Sequence, residues 1–191
     1  MQKLFLICFL VIIHSVSAQD RNVNSENVIQ WQEAYRIEVS DFKKKRLPND
    51  SYAFTAYKIE FYPSEVIVDM NDYIQGYELL TVVAEFHMDK SHFEAGYEKD
   101  LLKHEQITFD IAELFARKIR KRFEELKQKE EKRFAMYNNE YRQLWKACLE
   151  YQQEFNNDTN SGWGSPKKVE EWQSRINQEL MDLKKYAIKP I

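Results

Sequence analysis

At Gly96 the period of the hydrophobic pattern changes, and this change limits the folds open to the chain more than any other feature. Upstream, apolar residues alternate with polar ones. Tyr35, Ile37 and Val39 do so, then Ala53, Thr55, Tyr57, Ile59 and Phe61, then Val66, Val68 and Met70. Residues 77–87 are β-branched and apolar. A period of two puts every second side chain on one face, which is the pattern of half-buried strands. Pro63-Ser64, Asn71-Asp72 and Gly76 supply turns between them, so the spacing predicts an antiparallel β-meander. Downstream, Leu101, Ile107, Ile111, Leu114, Phe115 and Ile119 recur every three or four residues, and Asp100 or a neighbour is placed to cap that helix. Residues 128–133 are charged without an apolar member, either a solvated stretch of one long helix or the joint between two. Phe134, Tyr137, Tyr141, Leu144, Trp145, Cys148 and Leu149 resume the stripe. Residues 155–164 read as a loop rich in Asn, Asp and Gly, after which Ser165-Pro166 opens a last helix striped by Val169, Trp172, Ile176, Leu180 and Leu183. Strands first and helices after define an α+β chain, an antiparallel sheet packed against long C-terminal helices. With four Gly and four Pro in 191 residues, a turn-rich all-β sandwich is excluded.

The first residues read differently. Met1-Gln2-Lys3 is a short positive start, residues 4–13 are apolar, and Val16-Ser17-Ala18 is a small-x-small cleavage pattern. That is the pattern of a secretory signal peptide over 1–18, and the expected location is the periplasm or the cell exterior. The apolar run is too short to span a bilayer, and no later segment is apolar enough to do so. Residues 19–27 are polar and expected to be a disordered mature terminus, leaving one domain over 28–188. Cys148 is then the one cysteine of the mature chain, so no internal disulfide forms, and its helical spacing reads as a buried structural thiol. Net charge is −3, with no basic field for nucleic acid. The run Lys43-Lys44-Lys45-Arg46 reads as a solvated turn. Asn49-Asp50-Ser51 and Asn157-Asp158-Thr159 fit the glycosylation sequon, which matters only in a host that glycosylates there.

The chemistry-bearing segment lies on the first helix. His104-Glu105-x-x-Thr108 is one residue short of HExxH, the zinc-protease motif. In that motif two histidines four apart share a helical face and bind zinc, while the glutamate takes a proton from the metal-bound water. Here a threonine hydroxyl, a poor zinc ligand, stands in the second position.

The surrounding run LLKHEQITFDIAELFARKIRK resembles the signature helix of a bacterial family of predicted secreted zinc-dependent proteases, a domain of unknown function. In that family the helix carries histidine where this chain has Thr108. Upstream, Trp31, Asp41-Phe42, Ala53-Phe54-Thr55 and Lys90-Ser91 follow the family's order. Downstream the family has a tyrosine-led acidic loop ending in Thr-Asn-His and then a helix with a tryptophan. This chain has Phe155-Asn156-Asn157-Asp158-Thr159-Asn160-Ser161, then Trp172. The similarity covers residues 28 to 185 and implies a zincin-like motif helix. It assigns His104 as the first zinc ligand, Glu105 as the general base, and Thr108 and Ser161 as positions from which ligands have been lost. The other mature histidines, His87 and His92, are the weak alternative ligands.

Three functional expectations follow. The first is an exported zinc-metalloprotease-like protein with a degenerate catalytic site, no cofactor, and a binding or scaffolding role toward a peptide or protein. The second is an active secreted peptidase in which His104 and His87 or His92 hold zinc and Glu105 is the base. The third is a structural helical interaction module whose charged stretch, 118–133, faces a partner.

Overall fold

The structure is a computed structural model that describes residues 26–188; the signal-peptide reading of 1–18 and the terminus up to 25 lie outside the described residues. The elements run β1 (Val28–Gln30), β2 (Ala53–Phe54), β3 (Tyr57–Tyr62), β4 (Thr81–His87), β5 (His92–Phe93), α1 (Glu98–Lys127), α2 (Phe134–Thr159) and α3 (Pro166–Asp182). The chain is α+β, with antiparallel sheets and three long helices.

The larger sheet has the order β1-β4-β3, so its last strand is central rather than at an edge as in a meander. The physical reason lies in β1, a short segment that the sequence pattern does not reveal. It pairs Ile29 with Phe86 and occupies the edge of β4 that β3 leaves open. β2 and β5 pair separately, Ala53 with Phe93 and Phe54 with His92. The expected single strand over 53–61 is therefore broken at Thr55-Ala56. There the chain changes sheet, and Ser91 Oγ accepts from the Ala56 amide at 2.9 Å.

Two expected strands are absent. Burial does alternate over 35–39, with Ile37 in the core, but no described strand lies beside this segment. The Ile37 amide donates instead to the Gln106 side chain at 2.8 Å. Residues 66–70 make one isolated bridge, Val68 to Ile74, around a turn in which Asp69 Oδ1 accepts from the amides of Asn71 and Tyr73. Strong turn chemistry prevails there over an alternating pattern of which Val66 alone reaches the core, while Val68 and Met70 are exposed. Among the helices, residues 128–133 are the joint between α1 and α2. The expected loop at 155–164 starts five residues late, because Phe155 is buried and holds α2 helical through Thr159. Tyr97, not Asp100, is at the cap position of α1. Pro166 begins α3 as expected.

The register decides which sheet face meets the helices. Tyr57, Ile59 and Phe61 stand beside Phe86, Ala84 and Val82, and these pack on α1, with Phe86 and Phe109 rings 5.8 Å apart. α1 runs between this face and the pair α2 and α3, so that residues 104–117 are buried on every side. Burial all round normally demands an apolar helix. Here Gln106, Asp110, Glu113, Arg117 and Arg120 make a polar stripe at helical spacing instead. Each has a partner: Asp110 accepts from Trp31 Nε1 at 2.8 Å, and Glu113 Oε1 accepts from Arg117 Nε at 2.8 Å and Arg120 Nη2 at 2.6 Å. The stripe ties α1 to the N-terminal segment, to α3 and to β4.

Candidate functional site

The other side of α1 borders a cavity of about 200 Å3. Leu101, His104, Glu105 and Thr108 line it from α1, and Gln152 and Asn156 from the end of α2. Ser161 and Trp163 close it from the α2–α3 loop, and the segment 51–55 lines it through and before β2. The change of sheet at Thr55-Ala56 is what turns Thr55 toward this space rather than onto β4.

The loop is shaped by backbone conformation. Asn160, Ser161 and Gly162 all have positive φ, and Ser161 and Gly164 donate their amides to the Asn156 and Thr159 carbonyls at 2.8 Å each. This reversal folds the loop back over α1. A Cβ on Gly162 would lie 2.9 Å from Leu101 Cδ2 and 3.1 Å from His104 Cβ, so only glycine permits the approach.

His104, Glu105, Thr108 and Ser161, drawn from two segments far apart in sequence, thus share one cavity. His104 is 4% exposed and stacks on Phe155 with ring centroids 4.4 Å apart. Its Nδ1 faces Glu105 Oε1 at 3.4 Å. A carboxylate oxygen accepts, so Nδ1 is the donor of this contact and Nε2 is the ring nitrogen left to the cavity. That Nε2 is buried with no hydrogen-bond partner among the described residues. Thr55 Oγ1 and Asn156 Oδ1, from two other walls of the same cavity, are buried and unpartnered as well. Neither residue stands out in the sequence. Thr55 is a hydroxyl in an apolar slot of an alternating run, a weak signal, and Asn156 is hidden in a segment that reads as loop.

His87 and His92 do not line the cavity. The register puts His87 on the opposite face of β4 from Phe86, away from α1, with its Nε2 3.8 Å from Glu85. Burial is the first cause holding the His87 imidazole below its ordinary pKa, with Lys90 and Lys58 adding to it. His92 stacks on Phe54, and its Nε2 lies 3.0 Å from the Ser51 carbonyl. Cys148 is buried 3.6 Å from the Tyr57 hydroxyl, and burial pushes its thiol up to about 11, as suits a packing residue.

The donor set does not fit zinc. Three protein ligands drawn from imidazole, thiolate and carboxylate are the usual minimum for a catalytic site. The cavity offers one imidazole nitrogen, the neighbouring carboxylate already facing that same ring, and two neutral hydroxyls in the remaining positions. Among the described residues no three His, Cys, Asp or Glu side chains are grouped to hold a metal.

No family model matches the chain, and no curated protein and no solved structure matches it. No described helix is long and apolar enough to cross a membrane.

Proposed function

We propose that the chain is an exported zinc-metalloprotease-like protein whose catalytic site is degenerate and whose remaining cavity serves binding. The observation that carries this reading is the meeting of His104, Glu105, Thr108 and Ser161 at one cavity with a single imidazole among them. A zincin-like origin accounts for why these positions face each other. The hydroxyls at 108 and 161 account for the loss of metal, since affinity falls steeply as ligands are removed. Export rests on the leader pattern of residues 1–18. What remains is a small, partly aromatic, polar-lined space suited to a small molecule or the end of a peptide.

The test is metal and peptidase analysis of protein purified without chelators. Zinc far below stoichiometric and no peptidase activity that depends on Glu105 are expected. Stoichiometric zinc, or peptide cleavage lost in Glu105→Gln, would overturn the proposal.

A further inference from the structure

The cavity that the proposed binding function relies on has an inventory that selects its ligand. His104 Nε2 is an acceptor, because Nδ1 holds the ring hydrogen against Glu105. Asn156 Oδ1 is an acceptor. The Glu105 carboxylate accepts only, and it is 6% exposed. The Thr55 hydroxyl is unpartnered and turns to suit what it meets. Among the described residues no Lys or Arg lines the space. The guanidinium of Arg46 lies behind two lining residues, stacked on the Tyr52 ring at 4.7 Å and donating to the Ser51 carbonyl at 3.0 Å, and Glu94 at 3.5 Å offsets its charge. Buried acceptors left without a donor are costly, and a ligand that brings donors relieves that cost.

We propose that the cavity binds the primary ammonium group of a small amine, with Glu105, Asn156 and His104 Nε2 receiving its three N–H bonds. An ammonium supplies three donors and one positive charge in a single compact group. A neutral alcohol supplies one donor and no charge, and a quaternary ammonium supplies charge and no donor. The half-exposed rings of Tyr52 and Trp163, with centroids 5.6 Å apart, stand at the mouth and receive the carbon body. At about 200 Å3 the space holds roughly six water-sized groups, which fits an amine with a short chain.

The proposal rests on the reading of the cavity as a metal-free binding site, and its test separates the two. The purified protein is titrated with n-butylammonium, n-butanol, glycerol, tetramethylammonium and zinc, following the indole and imidazole resonances by NMR. Butylammonium is expected to bind about tenfold or more tightly than butanol or tetramethylammonium, the scale of a charge-assisted hydrogen bond. Glu105→Gln, which keeps the side-chain shape, should lose about tenfold or more of that affinity with an unchanged circular-dichroism melt. Thr55→Val should weaken it less. Preferential binding of butanol or glycerol would overturn the ammonium assignment and leave a binding cavity standing. Stoichiometric zinc would overturn both readings. Failure of butylammonium to bind, or binding unaffected by Glu105→Gln, would overturn the ammonium assignment alone.

Discussion

Replacing Glu113 by Gln keeps the side-chain volume and removes one buried charge. The carboxylate lies between two guanidiniums, and Glu113, Arg117 and Arg120 are all buried. The arginines remain charged in its absence and remain held by carbonyls. Arg117 Nη1 donates to Leu180 at 2.6 Å, and Arg120 donates to Val82 at 2.9 Å and Tyr186 at 2.5 Å. Burial already disfavours the charged form of Arg120, and Glu113 is what opposes that. Removing one partner of such a network leaves uncompensated buried charge and costs about 3–5 kcal/mol. For a chain of this length that lowers the melting temperature by about 10 °C. Urea unfolding followed by circular dichroism measures the loss, and it should persist at high salt. The reference is Lys146→Ala, which breaks the exposed 3.7 Å pair with Glu150 and should cost under about 0.5 kcal/mol. If Glu113→Gln costs less than about 1 kcal/mol, the network does not hold α1 as described.

The remaining expectations are local. Thr108→His with Ser161→His puts two imidazoles on the cavity walls beside His104, so tight zinc binding should appear in a dye-competition assay. An intact fold without zinc binding would refute the geometry. Gly162→Ala forces a Cβ into Leu101 and His104 at a φ of 88°, and should cost about 1–3 kcal/mol in urea; a neutral result would show that the loop does not press on α1. Folding lowers the His87 pKa, so near its ordinary value the unfolded chain binds the proton more readily than the folded one. Stability from this residue is present above that ordinary value and is lost as pH falls through it toward the depressed folded value. His87→Gln should flatten the slope of stability between pH ~5 and ~7.

Much of the fold was legible where one residue type and one environment coincide. The stripe from Leu101 to Ile119 and the Ser165-Pro166 start of α3 read directly, because period and turn chemistry agree there. Ile37 shows the limit. Its alternation reports burial correctly, yet a strand also needs a neighbour, and the neighbour here is a glutamine side chain. β1 escaped because three residues are too few to show a period. The polar stripe from Gln106 to Arg120 escaped because charges at helical spacing look the same whether they face water or one another. At the site, His104, Glu105, Thr108 and Ser161 were named from a motif, whereas Thr55 and Asn156 acquire meaning only from the sheet change and the loop reversal that aim them.

α1 is held on one side by ion pairs and hydrogen bonds and meets an open space on the other. Substitutions at 105, 108 or 161 therefore leave the Glu113 network on the far side untouched, whereas one at 104 also removes the ring that stacks on Phe155 of α2. A chain built this way can exchange one chemistry for another at the cavity, over many generations, while the rod that carries it keeps its place.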